Sequence, residues 1–116
     1  MTLRLTPGIL ASMYRFLCAT PPFKRWKLPH SDEVKFRVMV SDQWRGQHSF
    51  ENGQHTIDIS AKKHGHTMTT LVTMAHEMVH AKVAEDGEDK GAEHGPAFKR
   101  RAKLVCKHHG FDPKEF

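Results

Sequence analysis

Residues Thr67–Glu85 read TMTTLVTMAHEMVHAKVAE, and the reading of this stretch decides how the rest of the chain is understood. Met68, Leu71, Val72, Ala75, Met78, Val79 and Val83 recur at helical spacing and give one broad apolar face. Thr67 can cap the start, and Gly87 lies just past the end, where a left-handed residue closes a helix. Inside this helix His76-Glu77-Met78-Val79-His80 sets two imidazoles four residues apart, so both project from one face. Met78 and Val79 between them are apolar and tie the same turn to a core.

Working outward, the expected order is helix, sheet, helix, helix. Residues 7–19 carry Ile9, Leu10, Met13, Phe16 and Leu17 at helical spacing behind Pro7, which suits a first turn. Pro21-Pro22 stops that helix. Residues 23–30 form a basic, aromatic loop with Phe23, Lys24, Arg25, Trp26 and Lys27. Residues 34–40 alternate: Val34, Phe36, Val38 and Val40 face one way, Lys35, Arg37 and Met39 the other, which predicts a half-buried strand. Residues 42–47 are a turn region containing Gly46, and residues 47–50 can add a short strand. Asn52-Gly53 is a strong hairpin signal, and in residues 55–60 His55, Ile57 and Ile59 alternate with Thr56 and Asp58. Residues 34–60 thus predict a small antiparallel sheet. After Thr67–Glu85 comes an acidic loop over residues 85–93. Pro96–His109 then forms the last helix, with Phe98, Ala102 and Val105 as its buried stripe and Gly110 at its end. The class is α+β, and no internal repeat or linker divides residues 1–116, which predicts one domain.

Two imidazoles a turn apart can reach one ion at about 2.0–2.1 Å, and a catalytic zinc takes three protein ligands with one position open. His94 is the candidate third. It follows His80 at a distance that lets the intervening loop return to the metal, and it stands at the opening of the last helix in Glu93-His94-Gly95-Pro96. Glu77, beside His76, is placed to meet a water rather than the ion. In zinc hydrolases these parts act together: the metal lowers the pKa of its water, Glu takes the proton, and hydroxide attacks a peptide carbonyl. An H-E-x-x-H spacing arises by chance in about one such histidine-rich chain in twenty. Its place on an amphipathic helix and the available third ligand argue against chance here.

His76-Glu77-Met78-Val79-His80-Ala81, followed by His94-Gly95-Pro96-Ala97-Phe98-Lys99, resembles the SprT-like zinc metalloprotease domain, the Spartan-type family. The shared pattern is a helix bearing H-E-x-x-H, a loop, and H-G-x-x-F/W at the start of the next helix. The N-terminal helix and small sheet are similar too. The resemblance covers roughly residues 7–110 and is most specific over residues 70–101. It implies a zincin-like fold, one zinc ion on His76, His80 and His94, and Glu77 as general base. It further implies proteolysis of DNA-associated or DNA-crosslinked proteins, gated by DNA. Residues 81–86 lack the Gly and His of the metzincin pattern. With two cysteines before Phe116, the chain is expected to be a minimal form without a C-terminal zinc ribbon, so that any nucleic-acid contact falls to the domain itself.

Composition agrees with this reading. The chain has 116 residues, and 18 Lys+Arg against 13 Asp+Glu give a net charge of +5 and a pI near 9.4, a surface drawn to polyanions. Charged residues at 27% and a mean hydropathy of −0.60 suit a soluble globular protein, and no stretch approaches the ~20 apolar residues of a membrane span. Arg15 interrupts the apolar N-terminal run, so neither signal peptide nor anchor is expected. Cys18 and Cys106 are too few for a disulfide scaffold. A cytoplasmic setting follows. Ten histidines, with no terminal run, point to metal rather than to a tag.

Further candidates sit around the core motif. His64 and His66 precede the active helix and are candidates to contact substrate or polarise its carbonyl; the simpler reading is a polar turn. His48 and His55 flank the hairpin turn; a sheet-edge histidine near a cleft is a candidate substrate contact, and the simpler reading is a solvated hairpin. If a substrate adds as a strand, residues 55–60 are the candidate edge. Lys99, Arg100 and Lys103, in a helix also carrying Arg101 and Lys107, form a candidate phosphate-contacting stripe against the plain reading of a solvated face. Lys24 and Arg25 add a second patch, with Trp26 available to stack on a base. His108 and His109 suit a helix C-terminus, Cys18 and Cys106 are packing, and Tyr14 lies far from the motif. Two rivals remain beside a metallopeptidase acting on protein with DNA as a partner: a small basic nucleic-acid-binding module with a structural metal, and a non-catalytic regulatory relative.

Overall fold

The computed structural model describes residues 4–63, 67–88, 93–114 and 116. Helix α1 spans Pro7–Cys18, with Thr6 as its cap: the Thr6 hydroxyl accepts from the Ile9 amide at 3.1 Å, and Pro7 takes the first helical position. After short helical turns at Phe23–Arg25 and Ser31–Glu33 come strands β1 (Val34–Met39), β2 (Gly46–Glu51) and β3 (Gln54–Ser60), then helices α2 (Thr67–Glu85) and α3 (Pro96–His109). The arrangement is α+β, as the sequence predicts.

The sheet differs from the antiparallel one expected. Its order is β1-β3-β2, and it is mixed. β2 and β3 pair antiparallel from Gly46 opposite Ile59 to Glu51 opposite Gln54, closed by Asn52 and Gly53, both at positive φ (52° and 77°) as a primed hairpin turn requires. β1 instead runs parallel to β3, from Val34 beside His55 to Met39 beside Ser60. The physical reason is the connection. Residues 40–45 carry the chain past the position next to β1 and let the hairpin deliver β3 into it. β3 is therefore the central strand, not an edge, and β2 is the edge strand that lies against α2. Buried on both sides, β3 loses the alternation of a half-exposed strand: His55 and Ile57 through Ser60 are all buried.

α2 is the middle of the molecule. It packs on β2, β3, α1 and α3, and Met74, Ala75, Met78, Val79 and Val83 join Leu10, Tyr14, Leu17, Ile57, Ile59, Phe98 and Val105 in one cluster. Thr70, Thr73 and Glu77 are buried as well, so the helix is enclosed on more than its apolar face, while Met68 near its start is exposed. Gly87 closes α2 at φ 66°; its amide bonds Ala84 O and the Glu88 amide bonds Val83 O, the paired bonds of a Schellman end. Gly110 ends α3 at φ 72°. Among the described residues no helix is long and apolar enough to cross a membrane.

Candidate metal centre

His76 and His80 project from adjacent turns of α2, and His94 comes from the segment just ahead of the Gly95 cap and Pro96. The His94 Nε2 lies 3.1 Å from His80 Nε2 and 3.2 Å from His76 Nε2. Two ligands at ordinary zinc–imidazole distance on a tetrahedral ion stand about 3.4 Å apart, so the His94 nitrogen already stands from each of the other two at nearly the separation one ion imposes. These are the three residues of the described chain grouped closely enough to share an ion. Phe98, four residues after His94, is the platform beneath them: its ring centroid lies 5.0 Å from that of His76, 4.5 Å from His80 and 4.6 Å from His94. The F of H-G-x-x-F thus packs under all three imidazoles.

The electrostatics suit a cation. Burial, then the neighbouring His76 and His94, pulls His80 down to about 3, and burial also lowers His76; both rings are held neutral, as ligands must be. Glu77 is only 3% exposed, and burial, reinforced by Glu93 and Asp58, pushes its carboxyl up to about 8. Its Oε1 is buried with no hydrogen-bond partner among the described residues. A buried carboxyl oxygen with no partner among the described residues, beside three clustered imidazoles, fits a site completed by a cation and a water.

The cleft is built by a close approach. Arg45, Gly46, Thr73, His76, Glu77 and His94 line a cavity of about 270 Å³ between the start of β2 and α2. A Cβ on Gly46 would fall 2.8 Å from Thr73 Cγ2, 3.1 Å from Glu77 Oε2 and 3.2 Å from Ile59 Cδ1. Only a glycine lets the edge strand come this near the Glu77 carboxylate. The sequence marks Gly46 merely as part of a turn. An apolar side cavity of about 320 Å³, floored by Phe98, Ala102 and Pro113 and rimmed by Lys99 and Lys103, meets the cleft at His76, His94 and Phe116.

The remaining candidates distribute as follows. His64 and His66 lie outside the described residues. His55, read as solvated, is 1% exposed: its Nδ1 is 2.8 Å from His48 Nε2, its Nε2 is 2.6 Å from Glu85 Oε2, and the Phe50 ring stacks on it at 4.1 Å. Its alternation with Ile57 and Ile59 was the available signal; the partner on α2 is thirty residues away. Asp58 is likewise buried, clamped by Arg37 at 2.7 and 2.8 Å and by Gln47 at 2.9 Å. Trp26 is corrected as a base-stacking residue. It is 8% exposed, set edge-on to Phe23, and the Arg101 guanidinium covers its ring at 5.2 Å. Arg101 is itself held by Asp86 at 2.9 Å and Glu88 at 3.1 Å, so part of the acidic loop is a clamp and not solvated chain. Lys99, Arg100 and Lys103 are exposed, Arg100 within 3.6 Å of Glu88. Lys24 and Arg25 group with Leu104 and His108 on another face. Tyr14 stays remote, its hydroxyl donating to Pro29 O at 2.6 Å.

Residues 20–115 match the family model of the SprT-like family, and the chain belongs to that family. Comparison with individual curated proteins gives no match.

Proposed function

We propose that this protein is a zinc-dependent metallopeptidase that hydrolyses peptide bonds of protein substrates, DNA-associated proteins among them, in the cytoplasm. The observation that carries the reading is the meeting of three imidazole Nε2 atoms, 3.1–3.2 Å apart where measured from His94, with a buried carboxyl whose Oε1 has no partner among the described residues. His76, His80 and His94 would hold one zinc ion, and the exposure of His94 leaves the side facing the cleft open. Zinc bound there supplies Lewis acidity, acidifying a water and polarising a scissile carbonyl. Glu77 would accept a proton at its carboxylate from the attacking water and pass it to the leaving amine, a role its poised carboxyl suits. We read the edge strand β2 as the rail along which an extended substrate lies, a zincin-like geometry that the closeness of Gly46 to Glu77 supports. The exposed Lys99 and Lys103, beside His76 and His94, support contact with DNA phosphates near the substrate, and the exposed Lys24 and Arg25 support a second contact on another face.

The test is cleavage of an unfolded protein by the zinc-loaded enzyme, with and without DNA, beside Glu77→Gln. The expected result is cleavage by the wild type and a loss of about 10²–10⁴-fold in Glu77→Gln with zinc retained. Cleavage by neither form under any condition, with zinc bound and DNA held tightly, would favour the binding module; zinc bound with no cleavage and no DNA affinity would favour the regulatory relative.

A further inference from the structure

A metal-binding imidazole works through one nitrogen and is aimed by what the other nitrogen holds. On His76 that second atom is Nδ1, and it lies 2.7 Å from the backbone carbonyl oxygen of Phe116. A main-chain oxygen, whether of a carbonyl or of a carboxylate, only accepts, so Nδ1 carries the proton. That fixes the ring in the tautomer whose bare Nε2 faces His94. Among the described residues a main-chain atom forty residues on, rather than a side-chain carboxylate, performs this task for His76.

The carbonyl is held there by packing. Beyond α3 the left-handed Gly110 turns the chain, Phe111 stacks on His109 at 5.2 Å, and the chain comes back toward α2. The Phe116 ring then sits 5.2 Å from His76, 6.5 Å from Phe98 and 6.3 Å from Phe111. It borders both the cleft holding Glu77 and the apolar side cavity. One residue thus touches the ligand ring with its backbone and lies where the two cavities meet.

We propose that Phe116 is a positioning residue of the metal centre: its carbonyl sets the tautomer and aim of His76, and its ring keeps that carbonyl in place. The inference rests on the metal centre proposed above. Losing such an outer partner costs about 10–100-fold in metal affinity.

The test compares the full chain with Phe116→Leu, Phe116→Ala and a chain stopped after Asp112, which keeps the Gly110 cap and Phe111. Zinc affinity is measured by competition with a chromophoric chelator, and the His76 ring ¹⁵N shifts are read in zinc-free protein. The stopped chain should bind zinc about 10–100-fold more weakly and show His76 exchanging between tautomers. Phe116→Ala should fall in the same direction, and Phe116→Leu should stay near wild type. A merely structural role would lower the melting temperature and leave the ring shifts unmoved. The proposal is overturned if the stopped chain, or Phe116→Ala should the stopped chain not fold, binds zinc as the wild type does with His76 unchanged. The two ideas fail separately: a wild type that binds no zinc ends the metallopeptidase reading, whereas the ring shifts of zinc-free protein still report on Phe116.

Discussion

Replacing Glu77 by glutamine should stabilise the zinc-free protein while abolishing its proposed activity. The side chain is 3% exposed, one of its oxygens has no partner among the described residues, and burial raises its carboxyl from 4.5 to about 8. In the unfolded chain the group releases its proton near 4.5. The folded protein therefore binds more protons between those values, and stability must fall as pH rises through that window. By pH 7 the cost approaches 3 kcal/mol, roughly 10 °C in melting temperature for a chain of this size. Glutamine keeps the shape, carries no charge and removes the cost. Calorimetry of chelator-treated wild type and Glu77→Gln from pH 4 to 8 reads the gap directly. His80 resists protonation below about 6.5 in both proteins, so it cancels in the difference. The gap should be small at pH 4, widen to pH 8, and narrow when zinc is added, because a dication favours the carboxylate. Equal melting temperatures at pH 7, or a gap independent of pH, would refute the reasoning.

Two further outcomes follow from the same packing. Gly46→Ala puts a methyl 2.8 Å from Thr73 Cγ2 and 3.1 Å from the Glu77 carboxylate, so it should cost about 1–3 kcal/mol in a thermal melt and depress cleavage more than zinc affinity. Asp58→Asn breaks the charged clamp on Arg37 and should cost about 1–3 kcal/mol at neutral pH; because the Arg37 hydrogen bond holds the Asp58 carboxyl below 3.8, the difference from wild type should shrink as pH falls below that value and through the lowered one of the folded protein, as acid titration of the two proteins would reveal.

What could be read from the sequence was whatever local periodicity encodes. α2, the hairpin at Asn52-Gly53 and the Pro96 start of α3 were legible because each is set by residues within a turn or two of one another. The convergence of His94 on His76 and His80 was legible through the segment His94-Gly95-Pro96, which ties the histidine to the opening of a helix. The direction of β1 was not. Period-two alternation in Val34–Met39 says which side chains are buried and nothing about whether the neighbour runs with or against the strand. His55 was misread because a histidine in an apolar alternation looks like an exception until Glu85, on another element, supplies its partner. Trp26 looked like a stacking platform until Arg101 was found on its face. The Phe116 carbonyl had no signal at all, since a backbone oxygen is the same on every residue.

The most direct measurement is the metal content of the purified protein, wild type beside His94→Ala, by mass spectrometry of the released metal. The account predicts one zinc per wild-type chain and almost none in His94→Ala, with both chains folded. A wild type that carries no metal after zinc loading, or a His94→Ala variant that keeps a full equivalent, would contradict it.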